Sequence, residues 1–175
     1  MTHRIPSGPL ALLVLLAGSL QVASAAPQQV FGSMAGSWRG PGRIEFDEGS
    51  SEAIVCKAYY TTADQANRLS IVLRCASRSN KIELRAKLAA DGSNLTGTWE
   101  ERTFNASGTV TGQATEREIT LSIVGGGFTA TMLVIQEGGH QSVSITTQGV
   151  GFKTVSVSLI RSASGQEAKR DDARE

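Results

Sequence analysis

The side chains with chemical reach are few. The 175 residues include 2 histidines and 2 cysteines. His3 lies in an N-terminal segment that reads as removable, which leaves His140 alone. One histidine cannot build a His-rich metal site, and no serine or threonine has a base partner in its sequence context. His140 follows Gly138-Gly139 and reads as an exposed turn residue. Glu100-Glu101 is an adjacent pair of carboxylates. A buried carboxylate there could hold a ligand or act as an acid. The strand is ending at that point, so the reading favours a solvated rim position for Glu101. Gly125-Gly126-Gly127 falls between two strands rather than before a helix, so it does not read as a phosphate loop. These residues point away from an enzyme, a cofactor or a metal centre.

Charge narrows the partners. There are 17 basic and 16 acidic side chains. Removing residues 1–25 takes away Arg4, and the remaining 16 basic and 16 acidic residues balance. Nucleic-acid binding driven by overall positive charge is therefore not expected. The balance hides a local bias: Lys57, Arg74, Arg78, Lys81, Arg85 and Lys87 share one strand face, with Glu83 among them. Such a face could dock on anionic envelope polymers or an acidic protein. A solvated face that protects strand edges is the commoner cause.

Residues 1–25 carry Arg4, then the apolar run Leu10 to Ala17, then Ala23-Ser24-Ala25. That is the order of a secretory signal peptide cleaved after Ala25. The run is too short for a transmembrane helix, which needs about 20 residues. A periplasmic or secreted protein is expected, and Cys56 and Cys75 then read as one disulfide. Residues 26–35 form an N-terminal extension. Residues 162–175 are a charged tail without apolar anchors, expected to be disordered.

From 36 to 161 apolar and polar residues alternate, the period of half-buried strands. Residues 81–88 show it: Ile82, Leu84, Ala86 and Leu88 take one face, and Lys81, Glu83, Arg85 and Lys87 the other. Ten runs stand out, at 36–47, 52–61, 69–77, 80–89, 94–103, 107–115, 118–124, 127–136, 141–148 and 153–161. Turns at Arg78-Ser79, Asp91-Gly92, Glu116-Arg117, Gly125-Gly126 and Gly138-Gly139 fix expected registers. They oppose Leu73 to Leu84, Leu88 to Leu95, Leu84 to Trp99, Gly112 to Leu121, Leu121 to Ala130 and Met132 to Ile145. A turn centred between Gln65 and Ala66 opposes Cys56 to Cys75. Closing that short loop should stabilise by about 3 kcal/mol.

The expected fold is all-β: one antiparallel up-and-down meander of about ten strands, a closed or nearly closed barrel with one disulfide. The 9 aromatic residues are too few for two membrane girdles, so the apolar face is read as inward. Ten strands give a backbone radius of roughly 10 Å, more than side chains readily fill. Gly42, Ala58, Ala86, Gly97, Gly112 and Ala130 make a small-residue inner layer. That layer leaves either a dry cavity or a flattened barrel whose walls touch.

On these registers Gly36 and Trp38 of the first strand meet Arg161 of the last. The pattern resembles the calycin superfamily, the lipocalins and their relatives, in which a Gly-x-Trp meets a basic residue and plugs one barrel end. Gly97-Thr98-Trp99 repeats the tripeptide. The stretch 36–161 also resembles small exported proteobacterial proteins of unassigned role. The signal peptide, N-terminal extension, early Gly-x-Trp and single disulfide resemble the secreted bacterial metalloprotease inhibitors, which have two fewer strands. The small-residue inner layer motivates the first functional expectation, a non-catalytic calycin-like barrel that binds a small apolar or amphipathic ligand. Its lining would include Tyr60, Leu73, Leu84, Ala86, Gly97, Trp99, Val110, Gly112, Leu121, Ala130, Met132 and Ile145. The alternatives are a protein-binding module acting through the N-terminal extension, and envelope association through the basic face.

Overall fold

The computed structural model describes residues 29–163. The expected signal peptide and the tail from residue 164 lie outside them. Ten strands follow in order: β1 (Gly36–Phe46), β2 (Ser51–Ala63), β3 (Arg68–Ala76), β4 (Lys81–Asp91), β5 (Asn94–Glu101), β6 (Ala106–Ala114), β7 (Glu118–Gly125), β8 (Phe128–Glu137), β9 (His140–Gln148) and β10 (Phe152–Arg161). Each pairs with its chain neighbours, and β10 closes on β1, giving an antiparallel closed barrel. Every strand lies within two residues of its expected ends. Among the described residues no helix is long and apolar enough to cross a membrane.

The apolar face points inward. Trp38, Leu69, Leu95 and Cys56 are among the largest fully buried side chains. Cys56 opposes Cys75, and a disulfide joins them with Cα atoms 4.1 Å apart. Leu73 opposes Leu84, Gly112 opposes Leu121 and Met132 opposes Ile145, as expected.

Two registers differ. Leu88 opposes Gly97 rather than Leu95, and Trp99 opposes Ala86 rather than Leu84. Leu121 opposes Met132 rather than Ala130. In each case the turn sits one residue later, at Gly92-Ser93 and at Gly126-Gly127. At the second, Gly126 and Gly127 have φ of 61° and 84°, the consecutive positive pair that a tight hairpin requires. Moving a turn centre by one residue moves the pairing by two. Every side chain then stays on its expected face.

One end of the barrel is closed by chain that precedes β1. Val30, Phe31 and Met34 are buried under it, Phe31 completely. The β2–β3 turn holds this plug in place. Asp64, Gln65 and Ala66 adopt left-handed φ, and the Ala66 carbonyl accepts from the Phe31 amide at 3.1 Å. Part of the N-terminal extension is therefore core.

Candidate functional site

Gly36, Trp38 and Arg161 meet at the closed end, as the registers required. Trp38 opposes Arg161, whose guanidinium lies 4.3 Å from the indole centroid. Such a contact is worth about 0.5–2 kcal/mol. The guanidinium also donates to the Ser33 and Ala35 carbonyls, and Trp38 Nε1 donates to the Met34 carbonyl at 2.8 Å. Gly36 has φ of 124°, and a Cβ there would sit 2.9 Å from Arg161 Nη1. A larger residue would push the guanidinium off its ring.

A buried polar chain secures the same end. Tyr60 Oη donates to Gln141 Oε1 at 3.3 Å. Gln141 Nε2 donates to Gln136 Oε1, and Gln136 Nε2 donates to the Ser33 carbonyl, both at 2.9 Å. Burial pushes the Tyr60 hydroxyl up to about 12, so it stays a proton donor. Gln141 is 1% exposed and was not singled out from sequence, where it follows His140 and reads as the edge of a turn.

The other end is open. Ile71, Leu73, Ile82, Leu84, Met132, Val143 and Ile145 face inward yet are only partly buried. They surround an apolar cavity of about 430 Å³. Of the twelve lining residues expected from sequence, ten line it: Tyr60, Leu73, Leu84, Ala86, Trp99, Val110, Leu121, Ala130, Met132 and Ile145. Gly97 and Gly112 do not. A Cβ on Gly97 would meet the Lys87 carbonyl oxygen at 2.2 Å and Leu88 Cδ2 at 2.7 Å. A Cβ on Gly112 would meet the Thr120 oxygen at 2.1 Å and Leu121 Cδ2 at 2.9 Å. These glycines let strands approach and leucines fold over them; they do not hollow the barrel.

The mouth gathers aromatic rings. Phe46, Trp99, Phe104, Phe128 and Phe152 all line the cavity. Trp99 and Phe128 pack with centroids 5.2 Å apart, and Phe46 pairs with Phe152 where β1 meets β10. Phe104 lies in the turn after β5, and Phe46, Phe128 and Phe152 lie outside the lining expected from sequence.

Glu101 is at the rim as expected, but it is not solvated: 8% of it is exposed. Its Oε1 accepts from the Glu83 amide at 3.0 Å and its Oε2 from the Phe104 amide at 2.7 Å. Burial pushes this carboxyl up, and the hydrogen bonds from Phe104, Glu83 and Thr103 together outweigh it, so it sits below the usual carboxylate value. Among the described residues it is the one charged side chain on the cavity wall. The strand does end there, but the 102–105 turn folds back over the carboxylate.

The basic residues are outside. Lys57, Arg74, Arg78, Lys81 and Lys87 are exposed and Arg85 is half-buried. Arg74 and Arg85 reach Glu83 at 3.3 and 3.0 Å. Arg39, Lys57 and Arg74 lie directly opposite one another across β1, β2 and β3. His140 is an exposed strand end, opposite Glu137. Among the described residues no cluster of His, Cys, Asp and Glu could hold a metal ion.

No protein-family model matches this sequence, and no curated protein matches it. Solved structures do. The crystal structure of Rv2717c from M. tuberculosis superposes with a TM-score of 0.65 at 13% identity, covering 80% of this chain and 100% of that one. The S-type phycobiliprotein lyase CPES from Guillardia theta superposes with a TM-score of 0.56 at 14% identity, covering 77% and 92%. At these identities the likeness establishes the fold alone, a ten-stranded barrel shared with both.

Proposed function

We propose that this protein is an exported, non-catalytic binding protein that takes up one small apolar or amphipathic molecule through the open end of its barrel. The observation that carries the reading is the apolar cavity of about 430 Å³, within the roughly 300–1,000 Å³ range of ligand sites. Its walls are aliphatic and aromatic side chains, many only partly buried, and among the described residues no group fills the space. Covering them would remove apolar surface from water at about 25 cal/mol per Å². The charged start, apolar run and Ala-x-Ala of residues 1–25 support export. The likeness to a phycobiliprotein lyase is compatible with a barrel that handles a small molecule.

The test is native mass spectrometry of protein purified from its own host, combined with titration of a neutral apolar probe followed by tryptophan fluorescence. A retained small molecule, displaced by the probe, is the expected result. Ala130→Phe puts a ring into the cavity and should weaken probe binding. A protein that carries nothing and binds no probe removes the reading.

A second reading has an observation of its own. Lys57, Arg78, Lys81 and Lys87 are exposed and give the outer side of β2 to β4 a basic bias. Association with an anionic envelope polymer would use that bias. Retention on such a polymer that does not weaken with added salt would argue against it. An inhibitor acting through the N-terminal extension finds less support, because Val30, Phe31 and Met34 are buried rather than presented.

A further inference from the structure

We propose that the cavity selects amphiphiles whose polar end is a cation, an alkylammonium or quaternary ammonium group, with Glu101 as counter-ion and the mouth aromatics as its cage. The inference deepens the binding reading and rests on it.

Two arrangements point to this chemistry. The first is where the arginines go. Around the β4–β5 end, Arg74, Arg85 and Arg102 all turn to Glu83 on the outer wall, at 3.3, 3.0 and 3.9 Å. Glu101, on the inner wall, receives none of them. Its hydrogen-bond donors are backbone amides and Thr103, which satisfy its geometry without cancelling its charge. β6, which packs beside it, carries no charged residue. An ionised carboxylate therefore faces an apolar cavity with no protein cation paired to it among the described residues. A quaternary ammonium needs no further hydrogen-bond acceptor, only the uncancelled charge.

The second arrangement is the distribution of rings. The chain has 5 Phe, 2 Tyr and 2 Trp. Phe31, Trp38 and Tyr60 fill the closed end, and Tyr59 is outside. The other five rings line the cavity in its open half. Trp99 shares the inner face of β5 with Glu101, Phe128 packs on Trp99, and the Phe104 amide binds the Glu101 carboxylate. Ring faces attract cations, most strongly when water is excluded, and aromatic cages are a recurrent way to hold quaternary ammonium. An aliphatic tail would lie deeper, against Leu73, Met132 and Ile145.

The experiment compares three probes of one chain length on the wild-type protein: decyltrimethylammonium, decyl sulfate and decanol, each below its micelle concentration. Binding is read by calorimetry and by tryptophan fluorescence. The ammonium probe should bind about tenfold tighter than decanol, and the sulfate weaker than decanol. Glu101→Gln retains an oxygen acceptor for one backbone amide. It should bring the ammonium-to-decanol ratio close to one while decanol still binds. Phe104→Ala, which leaves the carboxylate and its backbone donor in place, should narrow the ratio by about threefold. Equal affinity for all three probes, or preference for the sulfate, overturns the cation inference and leaves the binding reading standing. Failure of all three to bind removes both.

Discussion

The two ends of this barrel begin from the same tripeptide form and finish as different objects. Gly36-Ser37-Trp38 puts an indole at the closed end, and Gly97-Thr98-Trp99 puts one in the open half. Both rings are buried, at 1% and 4% exposure, and both indole N–H groups donate to backbone carbonyls. What differs is the chain beyond them. At the closed end, Val30, Phe31 and Met34 fill the bore and Arg161 covers the ring. At the open end the loops at 47–50, 77–80, 102–105, 126–127 and 149–151 are short, and several of them line the cavity mouth. Ten strands enclose more space than their own side chains fill. Whether that space becomes core or cavity is decided by an added segment, not by the size of the residues on the wall.

The largest effect should come from emptying the closed end. Trp38→Ala and Phe31→Ala each remove a fully buried ring, so each should cost about 3–5 kcal/mol in urea unfolding. Phe104→Ala at the open end removes a ring that is 69% exposed and should stay within about 0.5 kcal/mol. If Phe31→Ala proved as mild as Phe104→Ala, the plug would not be core and the contrast between the ends would collapse.

An intermediate effect tests the role of the small residues. Were Gly97 and Gly112 there to widen the bore, alanine would be tolerated and the cavity would shrink. A Cβ at either position instead meets a backbone oxygen at close to 2 Å. Gly97→Ala and Gly112→Ala should each cost about 1–3 kcal/mol by forcing strands apart, with probe affinity unchanged at sub-denaturing concentrations. A stable variant with weakened probe binding would restore the view that these glycines hollow the barrel.

That distinction marks where sequence reading stops. Alternation carried the ten strands, the inward face and the Cys56–Cys75 pair, because period-two patterning and turn spacing leave little freedom once one face is buried. The Trp38–Arg161 stack followed from closing the meander. Placing the turns at Asp91-Gly92 and Gly125-Gly126, one residue early, leaves the inward face unchanged because each shifts the pairing by two. The plug was not legible: Val30, Phe31 and Met34 look like isolated apolar residues before the first strand, and only the bore they enter makes them core. The mouth was hidden for a related reason. Phe46, Phe104, Phe128 and Phe152 sit at strand ends or in a turn, scattered over more than a hundred residues, and closure alone brings them together. Glu101 was visible as a candidate, but its burial depends on the 102–105 turn folding back over it.

The smallest effect concerns that turn. The folded state holds the Glu101 carboxyl below its ordinary value, so in the acid range it binds fewer protons than the unfolded chain. The stability this supplies is present above the unfolded value and is lost as pH falls through the lower folded one. Wild-type stability should therefore drop between about pH 5 and pH 3, and Glu101→Gln should drop less steeply over the same window. Glu48, Glu52 and Glu83 are lowered too, by hydrogen bonds from Ser50, Ser79 and Arg85, and they supply the slope that remains in the variant. The informative quantity is thus the difference between two urea-midpoint curves against pH. Parallel curves would mean that folding does not favour the ionised Glu101 carboxyl, so that the hydrogen bonds from Phe104, Glu83 and Thr103 do not outweigh its burial at the open end.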